Sequence, residues 1–527
     1  MNKIDIFDTT LRDGAQSANV SFSVEDKVKV AKILDDFGVT YVEGGWPGAN
    51  PTDRLFFARM AEIELRNSKL TAFGSTRKKN TKASADSNLQ EIIKSGVKTA
   101  CIFGKAWDLH VRCALNTTNK ENLRMIYDSI SFLKSKKIEV IFDAEHYFDG
   151  FKNNKDYAFE VIATVQKANA DIVCLCETNG SILPSEMQTI VKATILTFPG
   201  VKFGIHAHND ADCAVANSII AVEEGCVFVQ GTINGIGERC GNANICSIIP
   251  ALQIKNNFTC IPSKNISKLT DVSRYIYEII NLVPNDDLPY VGRNAFAHKA
   301  GIHASAVAKL QKTYEHIDPA SVGNERKILI SDMSGKSNIC VKIKGFDGFE
   351  ESDNAVSSKK VMEAVKAMEN KGYQYENADA SFFVLAKKVL YKNKSTFFSL
   401  KNYDVRIEKD FSGKITSTAT IKLDINGNEE YTVAEGEGPV NALDNCLRKS
   451  LIRHYPEIKN IRLTDFKVRV INSDANTAAK VRVLIETSDS KKIWGTVGVG
   501  ENIIDASWQA LVDSIEYKLF ILNQVQK

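Results

Sequence analysis

Two distant motifs hold the residues best suited to chemistry: D-T-T-L-R-D-G at Asp8–Gly14 and H-A-H-N-D at His206–Asp210. Each closes a short apolar run with the character of a β-strand, the first at Ile4–Phe7 and the second at Val201–Ala207. Together they offer a carboxylate, an arginine and two imidazoles, a set that can hold a divalent cation and polarise a small oxo acid. His206 and His208 lie two apart on one strand and so share a face. With an aspartate from the other strand they supply half of an octahedral or tetrahedral metal site.

Such residues need a frame to bring them together. The first half of the chain alternates strand and helix. Strands are predicted at Ile4–Asp8, Thr40–Gly44, Leu70–Gly74, Thr99–Phe103, Glu139–Ala144, Asp171–Glu177, Lys202–Ala207 and Val227–Ile233. Helical spacing lies between them at Val24–Phe37, Glu121–Lys136, Asp156–Asn169 and Glu186–Phe198. Ser23 and Pro184–Ser185 are helix starts, and Gly38 and Gly225 are helix stops. Eight βα units in roughly 250 residues suit an α/β (β/α)8 TIM barrel. A doubly wound sheet fits less well, because no G-x-G-x-x-G follows the first strand. In such a barrel chemistry sits where strands end, and polar residues gather at those ends. Asp8, Arg12 and Asp13 follow the first strand, Glu43 the second, Glu145 the fifth and Thr178 the sixth. His206 and His208 end the seventh, and Glu238 and Asn242 follow the eighth.

The barrel is expected over residues 1–257, a mainly helical linker or lid over 258–394, and an α+β domain over 395–527. The last region holds a weak internal repeat. Val433–Leu451 and Val497–Ile515 each run from a strand through a glycine-rich turn into an amphipathic helix, which implies two βββα-like halves. Bulk properties narrow the function. The 527 residues carry a net charge of +3, which does not favour a nucleic-acid partner or an acidic membrane surface. No apolar run is long enough to span a bilayer. The 11 cysteines are odd in number and lack C-x-x-C spacing, which suits reduced thiols in a cytoplasm. Cys174 and Cys176 alternate on a buried strand and read as core.

These motifs resemble those of the 2-isopropylmalate/homocitrate synthase family, the metal-dependent Claisen-condensing barrels. D-T-T-L-R-D-G-A-Q, H-A-H-N-D and G-I-G-E-R-C-G-N-A match its barrel hallmarks, A-G-I-H-A-S-A-V its histidine segment, and the tail its amino-acid-sensing domain. Five further stretches are similar to the long form of the citramalate-forming branch: V-E-G-G-W-P-G-A-N-P-T-D, S-K-L-T-A-F-G-S-T-R-K-K-N, F-G-K-A-W-D-L-H-V, F-D-A-E-H-Y-F-D-G-F and T-Y-E-H-I-D-P. The isopropylmalate branch has E-A-G-F-P where this chain has E-G-G-W-P. The resemblance implies a cytoplasmic acyltransferase that joins acetyl-CoA, pyruvate and water. Isoleucine is then its feedback effector and a homodimer its assembly. The rivals are a 2-isopropylmalate or homocitrate synthase, a retro-Claisen lyase, and a non-catalytic amino-acid sensor that kept the barrel.

By the same resemblance Asp13, His206 and His208 hold the metal, with Asn242 as fourth ligand. Mixed oxygen and nitrogen ligation suits Mg2+, Mn2+ or Zn2+. Arg12 is assigned to the oxyanion formed when the ketone is attacked; a rim ion pair is the competing structural role. Asp8 orients Arg12 or its loop. Glu145 positions the metal-bound water or the acetyl group, or is a buried structural carboxylate. Thr178 donates to the oxo-acid carboxylate. His303 is the candidate base for the acetyl methyl, with Tyr314 as its partner. Both must fold over the barrel mouth, in this subunit or from a neighbour. His298 competes for the role, placed on a helix face with Ile302. Glu238 and Arg239 brace the loop that carries Asn242. Trp46, just past the second strand, is expected to shrink the alkyl pocket and so favour pyruvate.

Overall fold

Eight short strands close in chain order into a parallel barrel, β8 pairing back onto β1. They are β1 Asp5–Asp8, β2 Tyr41–Gly45, β3 Lys69–Ser75, β4 Thr99–Lys105, β5 Glu139–Glu145, β6 Ile172–Glu177, β7 Phe203–Ala207 and β8 Phe228–Gly231. The chain is seen in a computed structural model that describes residues 3–299, 301–329, 339–340, 342–343, 346, 349, 355–391, 397–471, 480–489 and 492–525. The domain boundary expected at 394–395 and Ala300 of the histidine segment lie outside these residues.

Strand parity decides which side chains see the interior. Ile6, Val42, Ala100, Val140, Phe203 and Ile205 point outward and pack with the surrounding helices in one large core. Their neighbours of opposite parity, among them Phe7, Tyr41, Phe73, Cys101, Ile141, Cys174 and Phe228, fill the barrel as a separate cluster. Both faces of each strand are therefore buried, which is why the strands read as nearly continuous apolar runs. The helix after β1, Val24–Phe37, starts at a capping box between Ser23 and Asp26. It ends at Gly38, whose φ of 95° is left-handed. The eighth strand is shorter than its apolar run, because Asn234 (φ 63°) turns the chain into the tight helical turn Ile233–Gly235.

The described residues divide into two compact units, residues 1–296 with 317–325, and residues 297–316 with 326–527. In the second, two antiparallel three-stranded sheets repeat one plan. Ser399–Lys409, Ile415–Ile425 and Asn428–Gly436 lead into the helix Pro439–Leu451. Arg462–Val470, Val481–Ser488 and Ile493–Gly500 lead into the helix Ile503–Val525. Ala419, Ile421, Leu423 and Ile425 alternate along the middle strand of the first sheet. They pack with Leu443, Cys446 and Leu447 of its helix. The βββα repeat is thus a repeat of sheet-on-helix halves. The helices Ala355–Glu369 and Asp379–Tyr391 join this unit: Val361, Val365, Phe382 and Ala386 share a core with Val497 and Val499 of the second sheet. His298 departs from its expected helical setting. It lies in a two-residue strand, Ala297–His298, paired with Lys327–Ile328.

Candidate metal and oxo-acid site

The turn after β1 is built before any ligand is considered. The backbone N–H groups of Arg12, Asp13 and Gly14 all reach the Thr9 carbonyl, at 3.2, 2.9 and 3.1 Å. Asp8 accepts from the Thr10 N–H and hydroxyl, each at 2.9 Å. The Thr10 oxygen in turn accepts from Ile233 N–H at 2.9 Å. Asp8 therefore ties the turn to the end of β8, and the arginine has another partner. Arg12 Nε donates to Glu43 Oε2 at 2.7 Å, Nη1 lies 3.2 Å from Asp13 Oδ2, and the guanidinium covers the Phe73 ring at 4.0 Å. The Thr9 hydroxyl also donates to Glu43.

Asp13, His206 and His208 converge. Their ligand atoms lie within 4.8 Å of one another, and all three side chains are buried. His206 Nε2 is 3.4 Å from Asp13 Oδ2 and 3.1 Å from His208 Nε2. Burial favours the uncharged form of each group. In Asp13 burial is outweighed by the positive charge of Arg12, which holds the carboxyl below its usual range. In the histidines burial wins: His206 is depressed, and His208 is brought down to about 4 by burial and by His206. Neutral imidazoles beside an ionised carboxylate are the ligand forms a cation needs. Asn242 faces His208 across an isolated antiparallel bridge. Its amide nitrogen donates to the Ile236 carbonyl at 3.3 Å and lowers the Asp13 carboxyl, while its Oδ1 is buried without a partner. Turning the amide over brings an oxygen to the same point. The donor set fits a hard or borderline divalent cation.

Around this point the rim is shaped by aromatics. Trp46 meets Phe73 and Phe103 edge-on, with centroids 5.5 and 5.7 Å away, and those two rings stack on each other. The Trp46 indole N–H donates to Asn88, and its backbone N–H donates to Asp53 at 2.8 Å. Asp53 can approach because Gly45 (φ 133°) has no Cβ there; one would sit 2.3 Å from the carboxylate. Lys27, itself buried, pairs with Asp53 and donates to the carbonyls of Leu11 and Gly44 at 2.8 and 3.0 Å. One lysine thus braces both loops, that of Arg12 and that of Trp46. Thr178 accepts from His146 N–H at 2.9 Å, which leaves the hydroxyl hydrogen for another acceptor. Glu145 pairs with Lys105. Arg239 ties Asp210 to the Thr178 carbonyl, at 2.9 and 2.8 Å, and Glu238 lies 3.5 Å from it. A second acidic and sulfur cluster, Asp143 with Cys174 and Cys176, also lies inside the barrel. Burial raises Cys174 far above the usual thiol range and Cys176 to about 11, so both stay protonated and pack as core.

In the second unit, taken by itself, the His303 and Tyr314 rings lie 4.1 Å apart. His298 is already engaged: it bonds Glu315 at 3.1 Å, and Arg326 clamps the same carboxylate with two 2.6 Å contacts. Three residues with a clear place in the site had no role from motif alone, namely Glu43, Asp143 and Gln230. Parity was their available signal. Each is a polar residue at an inward position, following an apolar or aromatic one two places earlier: Tyr41 before Glu43, Ile141 before Asp143 and Phe228 before Gln230.

An inward-facing cluster at the C-terminal rim that could hold a metal ion, with an arginine beside it, is the arrangement of a metal-dependent barrel enzyme. Residues 3–276 match the HMGL-like family. Residues 290–373 match a homocitrate synthase post-HMGL domain-like family, and 376–519 the LeuA allosteric (dimerisation) domain. An (R)-citramalate synthase from Aquifex aeolicus is 52% identical over 98% of this chain and 98% of its own. One from Geobacter sulfurreducens is 49% identical over 100% of this chain and 99% of its own. A probable 2-isopropylmalate synthase from Methanopyrus kandleri is 30% identical over 98% of each chain. This chain belongs to the HMGL-like family and, within it, to the (R)-citramalate synthases.

Proposed function

We propose that this acyltransferase condenses acetyl-CoA with pyruvate and water to give (R)-citramalate and free CoA, a first step towards isoleucine. The observation that carries the proposal is the convergence of Arg12 with Asp13, His206 and His208 beside an aromatic wall, in a chain like (R)-citramalate synthases from end to end.

Asp13, His206, His208 and Asn242 hold the cation, which is Mg2+, Mn2+ or Zn2+. When bound it supplies Lewis-acid polarisation of the keto group. The chain's own residues do the rest. Thr178 donates its hydroxyl hydrogen to the oxo-acid carboxylate. Trp46, with Phe73 and Phe103 behind it, limits the alkyl pocket to about a methyl group. His303 takes a proton from the acetyl methyl, and the resulting carbanion forms a bond to the keto carbon. Arg12, fixed by Glu43, stabilises the alkoxide that this creates. Water then cleaves the thioester, leaving a carboxylate and the CoA thiol, with Tyr314 and Glu145 positioning the water. His303 and Tyr314 must reach the barrel mouth, from this subunit or a partner.

We further assign the chain three parts: a catalytic barrel over 1–257, a linker over 258–394 and a regulatory, dimer-forming domain over 395–527. Isoleucine is the effector and the assembly a homodimer. The open sheet faces support dimer formation, since Tyr431, Val433 and Val470 are exposed there. A cytoplasmic setting is supported by eleven free cysteines. No helix among the described residues is long and apolar enough to cross a membrane.

The test is thiol release from acetyl-CoA with Mg2+ or Mn2+, offering pyruvate, 2-oxoisovalerate and 2-oxoglutarate separately. Fast release with pyruvate alone, abolished by a chelator, is the expected result. Preference for a larger oxo acid would keep the mechanism and overturn the substrate. No release with any of them would turn attention to a lyase or a sensor.

A further inference from the structure

The two ring nitrogens of His206 have different neighbours. Nε2 looks towards Asp13 and His208. Nδ1 lies 2.8 Å from Gln230 Oε1. Gln230 is its register partner on β8 and is fully buried. The other end of that amide, Nε2, donates to Asp143 Oδ1 on β5 at 2.8 Å. A single line of polar contacts therefore crosses the barrel interior from Asp143 through Gln230 to His206. It runs beside the apolar side chains Phe7, Phe228 and Ile141, with Glu43 and Arg12 in electrostatic reach of Asp143.

An amide has one accepting end and one donating end, so its orientation is set by the groups that each end meets. Here the donating end meets two groups, Asp143 Oδ1 at 2.8 Å and Cys101 Sγ at 3.8 Å, while the accepting end meets only His206 Nδ1. Turned over, Gln230 would give up both of those donor contacts in a buried, low-dielectric space. Held as it is, Gln230 offers His206 only an acceptor, and Nδ1 must carry the ring hydrogen. The lone pair is then on Nε2, the nitrogen that faces Asp13 and His208. We propose that Gln230 and Asp143 are positioning residues, which lock His206 in its Nδ1–H tautomer and so present Nε2 to the cation. This rests on the metal reading of Asp13, His206 and His208. Ordinary core packing explains neither the direction of the amide nor a buried polar line from β5 to β7, since burying such groups costs free energy unless they are paired.

The test uses full-length protein and Mn2+ alone, with binding followed by electron paramagnetic resonance. Outer partners of metal-binding histidines are commonly worth about 10- to 100-fold in metal affinity. That loss is expected for Gln230→Leu and for Asp143→Leu. The double variant should lose no more than the weaker of the two, because both act through one histidine. Additive losses, or unchanged affinity in Gln230→Leu, would overturn the proposal while leaving the metal site standing. A wild-type protein that binds no Mn2+ would remove both. A second measurement needs no altered core: the 15N shifts of His206 in the metal-free wild type, assigned by their loss in His206→Asn. The Nδ1–H tautomer is expected, and an Nε2–H tautomer would overturn the proposal.

Discussion

At the scale of single residues, what matters is how much of each side chain is already committed. Arg12 uses Nε on Glu43, Nη1 on Asp13 and its flat face on Phe73. A lysine could reproduce the charge but neither the fork nor the stacking. Arg12→Lys should therefore lower kcat about 100- to 1000-fold, the usual value of one oxyanion donor, while leaving Mn2+ affinity intact. Steady-state kinetics beside a metal titration checks both halves. Trp46 is equally committed, its indole N–H donating to Asn88, its backbone N–H to Asp53, and its ring set edge-on to Phe73 and Phe103. Trp46→Ala should move the ratio of kcat/KM for pyruvate over 2-oxoisovalerate towards the larger acid by about 10- to 200-fold, the range for a methylene or two in an apolar pocket. An unmoved ratio would reduce Trp46 to loop packing. The convergence of Asp13, His206 and His208 was legible because their motifs are contiguous: Asp13 lies next to Arg12, and the histidines are two apart. Glu43, Gln230 and Asp143 come from three separate strands. Only the closed barrel, which sets β8 beside both β7 and β1, makes neighbours of them.

At the scale of elements, the barrel strands were legible because they are buried on both faces, which leaves runs such as I-V-C-L-C with nothing polar to break them. What parity and composition could not show was where a turn cuts a strand short. The run after Val227 ends at Gly231, because Asn234 adopts a left-handed φ that only the fold around it stabilises. His298 misled for a related reason: its two-residue strand depends on Lys327–Ile328, about thirty positions on, which no local period reports. The turn after β1 adds a pH dependence. Burial pushes the Asp8 carboxyl up to about 7, even though Thr10 donates to it twice. An unfolded aspartate releases its proton near pH 4. Between those values the folded chain binds more protons than the unfolded one, so this group's contribution is complete below about pH 4 and fades as pH rises to about 7. Asp8→Asn cannot titrate and still accepts from Thr10 N–H. Urea unfolding of the barrel at pH 5 and pH 7.5 should show a smaller fall in midpoint for the variant than for the wild type. Parallel falls would mean that Asp8 is ionised in the folded protein throughout.

At the scale of the whole molecule, the two units divide the work unevenly. Every group we assign to the cation, with Arg12, Thr178 and Trp46, lies in the barrel unit, whereas His303 and Tyr314 belong to the unit that also contains the paired βββα halves. Removing the chain beyond about Lys394 therefore separates properties that the full enzyme joins. It takes away both sheets, and with them Val497 and Val499, against which Val361 and Phe382 pack. The helices Ala355–Glu369 and Asp379–Tyr391 lose that cover. They should become more open to proteolysis, because the apolar burial that stabilises them is gone. The barrel loses none of its own core, so Mn2+ should bind as tightly as in the full chain. Thiol release should persist at a reduced rate, because His303 stays in the chain on a loosened support. Isoleucine should no longer inhibit, since inhibition at a distance requires a binding site whose occupancy is coupled to the catalytic one. Titrating isoleucine against full-length and shortened protein, with Mn2+ affinity measured on both, distinguishes the alternatives. Inhibition that survives the cut would move the effector site into the first 394 residues. Lost Mn2+ binding would show that the barrel depends on the tail for more than regulation.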